Sequence, residues 1–97
     1  MTDAQMLTAL KIDLGITVSA YDTRLQELLT NAKDAIIAEG AESLDPSANF
    51  DDAQLVVMYA AWRWQQRRDG GGMPRMLRYA LNNRVFGEKA AEGGAGA

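Results

Sequence analysis

The segment from Asp51 to Asp69 constrains the fold of this 97-residue chain most strongly, because its apolar side chains do not keep to one face of a helix. At about 100° per residue, one apolar group lies on one side and a second continues round to the opposite side. The first group is Leu55, Met58, Tyr59 and Trp62, and the second is Val57, Ala60, Ala61 and Trp64. A helix with so little polar surface must be central to its fold or covered by a second molecule. Three short neighbours shield it only in part, so we expect a subunit interface.

A first, shorter helix is predicted from about Asp3 to Leu14. Thr2 is its N-cap, Gln5 completes a capping box three residues later, and Gly15 ends the helix. Its predicted apolar stripe is Met6, Leu7, Leu10 and Leu14.

A second helix is predicted from about Tyr21 to Glu39, and its apolar residues fall within an arc of about 100°. They are Tyr21, Leu25, Leu28, Leu29, Ala32 and Ile36. This is the pattern of a helix with one buried face. Gly40 ends it, and residues 41–50, which include Pro46, are typical of a loop.

A fourth helix follows the glycine triplet Gly70–Gly72, which ends the third helix. Pro74 opens it at a position where the missing N–H costs nothing. Its predicted inward residues are Met73, Leu77, Ala80 and Leu81. We expect it to end around Asn82 and Asn83, while residues 84–86 are compatible with either more helix or an extended strand.

The resulting fold prediction is all-α, a small four-helix domain over residues 1–86. Residues 87–97 are rich in glycine and alanine and lack large apolar groups. We expect them to form a C-terminal tail that is flexible or becomes ordered on a partner.

The composition excludes most enzyme chemistry. The chain has no cysteine and no histidine, which removes thiol nucleophiles, the usual zinc sites and the commonest general base. The carboxylate pairs Asp51/Asp52 and Glu39/Glu42 lie at helix ends or in loops, where they cap helices or face water. We therefore expect no catalytic, metal or cofactor site. No apolar run is long enough to span a membrane and no secretion signal is visible, so we expect a cytoplasmic protein.

Charge is divided unevenly along the chain. Residues 1–52 hold three basic and ten acidic residues, a net charge of −7, whereas residues 53–97 hold seven basic and three acidic ones, a net charge of +4. Complementary patches of this kind suit head-to-tail stacking of identical copies, or a place between two partners of different charge. A chance distribution in a short chain is the alternative.

Two stretches carry a resemblance to a known family. They are YDTRLQELLTNAKDAIIAEG, which follows the opening amphipathic helix, and LVVMYAAWRWQQRRDGGGMPRMLRYALNNR. The chain resembles, over residues 1–86, the phage head–tail connector family, the small adaptor proteins related to those of siphophages such as HK97 and SPP1. The shared traits are helix lengths, the aromatic and basic end of the third helix, the glycine-containing break and the proline that begins the last helix. The GGG break and the glycine-alanine tail depart from the family pattern.

The resemblance implies a virion protein of the neck, made in the host cytoplasm, with no enzyme activity. It implies a ring, typically of twelve subunits, that docks under the portal protein and leaves a channel through which DNA passes without sequence-specific contact. It further implies that the C-terminal segment holds the portal, while the opposite face meets a stopper or tail-completion protein.

Helical phasing assigns roles to the aromatic and basic residues. Trp62 is in line with Leu55 and Tyr59 and is expected in the core. Trp64 points about 160° away, towards a neighbouring subunit or, alternatively, over the loop at residues 41–50. The predicted subunit interface is Val57, Ala61, Trp64, Arg67 and Arg68. The predicted contact with the portal or another partner is Arg75, Arg78, Arg84, Val85 and Phe86, although these arginines could equally form a solvated basic face.

The main rival hypothesis is a small nucleic-acid-binding module. Two helices joined by a short glycine turn resemble a helix-turn-helix, and MPRMLRYALNNR offers arginines and asparagines that could contact base edges. The acidic isoelectric point, about 4.8, argues against DNA binding because the net field repels phosphates. A small enzyme working with carboxylates alone is a third and weaker alternative.

Overall fold

Four α-helices make up the fold, and no strand occurs among the described residues. The structure, a computed structural model, describes the backbone of residues 1–96 and the side chains of residues 1–68 and 70–90. The helices are α1 (Asp3–Leu14), α2 (Asp22–Ala38), α3 (Phe50–Asp69) and α4 (Arg75–Gly96). The predicted all-α, four-helix fold class is therefore confirmed.

The third helix is the centre of the molecule, as its apolar pattern predicted. It packs against each of the other three helices. The residues it buries are Ala53, Leu55, Val56, Val57, Tyr59 and Ala60. One continuous hydrophobic core joins these side chains to Met6 and Leu10 of α1, to the apolar stripe of α2 and to Leu77 and Leu81 of α4. The second apolar side of α3 is thus largely covered within a single chain.

Local sequence signals account for the ends of α1 and α3. The capping box is present, since Thr2 Oγ1 accepts from the Gln5 amide at 3.1 Å and Gln5 Oε1 accepts from the Thr2 amide at 2.8 Å. Gly15 and Gly70 end α1 and α3 in the left-handed conformation, with φ of 70° and 69°. Asn49 caps α3 by accepting from the Asp52 amide at 3.2 Å, so that helix begins at Phe50, slightly earlier than predicted.

The predicted stripe of α2 is buried, apart from its first member. The buried residues are Leu25, Leu28, Leu29, Ala32 and Ile36. Tyr21 does not belong to this stripe, because it precedes the helix as its N-cap and is 48% exposed. Its ring packs on α3 instead, as described below.

The fourth helix differs from the prediction at both ends. It begins at Arg75, directly after Pro74, whose carbonyl accepts from the Arg78 amide at 3.0 Å. It does not end at Asn82 and Asn83 but continues through residues 84–86 and on to Gly96. The added turns are stabilised by contacts with distant residues, which include those of Arg84 with Asp52 and of Glu88 with Ser43. Residues 87–90 of the predicted tail are therefore helical, and Ala97 lies outside the described residues.

Gly40, two residues past the end of α2, lies against Val85 of α4. Its φ is 132°, which L side chains rarely adopt, and a Cβ placed on it would lie 3.0 Å from Val85 Cγ1. Gly71, in the break between α3 and α4, has no atom within 4 Å of the corresponding position and no positive φ. The fold thus requires glycine at position 40, whereas position 71 can accept a larger residue.

We predict that Gly40→Ala lowers the free energy of unfolding by about 1–3 kcal/mol, because it combines backbone strain with a clash against Val85. Gly71→Ala should be neutral or raise it by up to about 1 kcal/mol, since alanine restricts the unfolded chain without strain in the folded one. Urea unfolding followed by circular dichroism measures both. Equal midpoints for the two variants would contradict the proposed packing of α4 on Gly40.

Candidate interaction surfaces

Trp62 faces the core and also holds the glycine break in place. Its ring is perpendicular to that of Tyr59, with an interplanar angle of 88° and centroids 5.3 Å apart. Its indole Nε1 donates to the carbonyl oxygen of Gly72 at 3.2 Å. The predicted core position of Trp62 is met only in part, because the side chain is half-buried and packs against the edge of the core. The same side chain positions the segment that leads into α4.

Trp64 lies on the other side of α3 and is half-buried against Tyr21. The two rings meet edge to face, with centroids 5.6 Å apart and an interplanar angle of 73°. Trp64 therefore covers the start of α2 and not the loop at residues 41–50. Together with the exposed Arg67 and Arg68 it lines a shallow depression of about 210 Å³. Flat aromatic area beside guanidinium groups is typical of binding surfaces.

The two small residues of the predicted subunit interface have different positions. Val57 is only 3% exposed and packs in the core of its own chain. This corrects its assignment, because a side chain without free surface cannot contact a neighbouring subunit. Ala61 is half-buried at the edge of the core and keeps some surface.

Arg84 anchors α4 through a set of polar contacts that we call the Arg84 cluster, formed by Ser43, Asp52, Arg84 and Glu88. Its Nε donates to Asp52 Oδ1 and its Nη1 to Glu88 Oε2, each at 2.8 Å, and its Nη2 donates to Ser43 Oγ at 3.1 Å. The Ser43 hydroxyl in turn donates to Glu88 Oε2 at 2.6 Å. The cluster thus ties together the loop before α3, the first turn of α3 and the middle of α4.

Asp52 is the buried member of this cluster, with 3% of its surface exposed. Its Oδ2 also accepts from the Asp45 amide at 3.0 Å. A buried carboxylate requires such partners, because burial without them costs several kcal/mol. Hydrogen bonds to Asp52 and Glu88 raise the pKa of Arg84 above its usual range. The hydrogen bond from the Ser43 hydroxyl, followed by that from Arg84, lowers the pKa of Glu88.

The residues predicted to contact a partner divide into three groups. Arg84 is used within the Arg84 cluster, and Val85 packs against Gly40, which corrects their assignment to a partner surface. Arg78 is exposed but pairs with Glu39 at 3.4 Å. Arg75 and Phe86 are exposed and available.

The outer face of α4, which we define as Met76, Tyr79 and Phe86, is the most unusual surface of the molecule. These three large apolar side chains are 79%, 70% and 72% exposed. Their spacing places them within an arc of about 80°, opposite the buried Leu77 and Leu81. Such an apolar face, interrupted by the exposed Asn83, is unusual on a small chain and suits a docking site.

Sequence reasoning placed Phe86 on this surface but missed Met76 and Tyr79. The signal was present, since residues 76, 79, 83 and 86 recur at helical spacing. It was hidden by the expectation that the helix ends at Asn82 and Asn83, which separated Phe86 from the other two residues.

Among the described residues, no group of three or more acidic, histidine or cysteine side chains is placed to hold a metal ion. No helix in this part of the chain is long and apolar enough to cross a membrane.

Comparison with known proteins identifies no relative. No protein-family model, no curated protein and no solved structure matches this chain.

We predict that Arg84→Met lowers the free energy of unfolding by about 3 kcal/mol, because it leaves Asp52 buried without a cation. Arg24→Met is the matched control, since the pair of Arg24 with Glu27 at 3.1 Å lies on the surface. Its loss should cost about 0.5 kcal/mol or less. Urea denaturation compares the two variants, and equal effects would show that the Arg84 cluster does not anchor α4.

The lowered pKa of Glu88 predicts a pH-dependent contribution to stability. Because the folded-state pKa lies below the ordinary value of 4.5, this contribution is complete above pH 4.5 and is lost as pH falls through the lowered value. The difference in unfolding free energy between the wild type and Glu88→Gln should therefore shrink as pH falls below 4.5. Other titrating groups, including Asp45, are common to both proteins and cancel. A constant difference across this range would contradict the role of the Glu88 carboxylate.

Proposed function

We propose that this protein is a structural component of a phage particle, a head–tail connector that forms a ring beneath the portal and joins the capsid to the tail. DNA passes through the ring without sequence-specific contact, and the opposite face meets a stopper or tail-completion protein. The role is mechanical and requires no cofactor. The resemblance of residues 1–86 to the connector family suggests this role.

The outer face of α4 is the single observation that carries the proposal. Met76, Tyr79 and Phe86 are exposed to water in the single chain. Full burial of one side chain of this size would contribute about 1.5–3 kcal/mol. A protein partner recovers that free energy on docking. In the connector role, this partner is the portal, which the family holds through its C-terminal segment.

Charge around the outer face indicates which kind of partner fits. Arg75 and Lys89 are exposed on α4. Two α4 helices placed face to face would bring these cations together, which is unfavourable. The outer face therefore favours an acidic partner surface over a second copy of α4.

The helix-turn-helix alternative gains less support from the same contacts. In that hypothesis α4 would present arginines to a DNA groove. Arg78 pairs with Glu39 and Arg84 with Asp52, so two of its cations are partly or wholly neutralised. Three large apolar groups on the outer face are also poorly suited to a phosphate backbone.

The proposal predicts annular particles when the purified protein is examined by electron microscopy after mixing with its portal. The protein alone is a less decisive sample, since the proposed ring can depend on the portal for assembly. Tyr79→Ser combined with Phe86→Ser should abolish the complex without loss of helical content. Ile12→Ser combined with Val18→Ser is the control, because these residues are 74% and 53% exposed but lie far from α4 in sequence.

Two results would count against the connector role. One is the absence of annular particles both with and without the portal. The other is salt-sensitive binding of duplex DNA by the isolated monomer, which would favour the helix-turn-helix alternative.

A further inference from the structure

We infer that identical copies associate head to tail, with the C-terminal end of α3 in one copy against the N-terminal end of α3 in the next. This inference rests on the proposed ring and names the surfaces that build it. It concerns the two ends of α3 and not the outer face of α4.

The C-terminal end of α3 is basic and carries an aromatic side chain. Arg63, Arg67 and Arg68 are exposed, and none of them forms an ion pair among the side chains that the structure describes. Trp64 lies among them, half-buried on Tyr21. We call this surface the arginine end.

The N-terminal end of α3 is acidic and exposes an aromatic side chain of its own. Residues 39–52 contain five acidic residues and no basic one. Glu42, Asp45 and Asp51 are exposed, and Phe50 beside them is 59% exposed. The Asp45 amide donates to Asp52 at 3.0 Å, which fixes the preceding loop next to the start of α3. We call this surface the acidic end.

Other charges near the acidic end do not reverse its sign. The N-terminal ammonium of Met1 donates to the Pro46 carbonyl at 2.9 Å and is one cation there. The exposed Lys33 of α2, whose charge acts on Asp45, is a second. Arg84 is a third, but it is matched by Asp52 and Glu88. The exposed carboxylates of Glu42, Asp45 and Asp51 therefore remain in excess.

The two ends are well separated, since Asp51 and Arg67 are about 24 Å apart along α3 at a rise of about 1.5 Å per residue. The helix dipole explains part of this arrangement, because anions favour the first turn and cations the last. It does not explain Glu42 and Asp45, which precede the helix, or Arg63, which lies before its last turn. Those residues add charge at each end that does not serve to stabilise the helix dipole.

A second copy of this chain is the partner that both ends fit. Like ends repel, so a two-fold contact of either end with its own copy is disfavoured. An antiparallel two-fold dimer would pair opposite ends, and its particle mass distinguishes it from a ring. Opposite ends attract, and the contact brings Phe50 of one copy towards Trp64 of the next, which supplies apolar area within the charged surface. A head-to-tail contact leaves a free end on every added copy and closes into a ring when the rotation per step permits.

Charge reversal at each end tests this inference. Arg67→Glu with Arg68→Glu makes both ends acidic, and Glu42→Lys with Asp51→Lys makes both ends basic. For each variant alone, the number of ring particles should fall by about ten-fold or more, because every contact then joins like charges. An equimolar mixture of the two should restore rings in which the variants alternate, and so should one chain carrying all four substitutions. Mass photometry and electron microscopy count the particles under conditions in which the wild type assembles.

The control is Arg24→Glu with Gln26→Glu and Thr30→Glu, which changes net charge as much as the arginine-end variant but at exposed positions on α2. It should assemble like the wild type. If wild-type rings form and both end variants also form them, the inference fails while the connector role stands. If the mixture does not recover assembly although both variants keep wild-type helical content, the inference also fails. If the wild type forms no ring with or without the portal, the connector role itself fails.

Discussion

Burial of α3 is the constraint on which the rest of the structure depends. The chain has no disulfide, and its stability comes from one hydrophobic core in which α3 contacts all three other helices. A domain of this size has a modest core, so most of the apolar surface of its central helix must be covered. This requirement places α1 and α2 on one part of α3 and leaves α4 to cover another.

The fourth helix is held in a different way from the other two neighbours of α3. Leu77 and Leu81 reach the core and Val85 packs against Gly40. The main polar attachment is Arg84, whose guanidinium contacts three side chains. This arrangement fixes one side of α4 and leaves its outer face free. A helix firmly held on one side and apolar on the other is suited to present a rigid docking surface.

Charge and aromatic placement give this small domain two kinds of surface. The proposed partner surface is the outer face of α4, and the proposed contacts between copies are the two ends of α3. They do not overlap in residues, so a ring subunit could contact its neighbours and a portal at the same time. This separation is compatible with the proposed connector role.

Features that depend on neighbouring residues followed from the sequence alone. The capping box of Thr2 and Gln5, the glycine ends of α1 and α3, the buried face of α2 and the central position of α3 all follow from local hydrogen bonds and helical periodicity. The tertiary structure decided the features that depend on distant residues. Arg84 was predicted to contact a partner, but it is an internal anchor of α4. It binds Ser43 and Asp52, which lie 41 and 32 positions before it in the sequence. Val57 is buried in the core of its own chain, and Tyr21 packs on Trp64 instead of lying in the buried stripe of α2. The fourth helix continues past Asn83. In each case, side-chain contacts between distant parts of the chain outweigh local propensity.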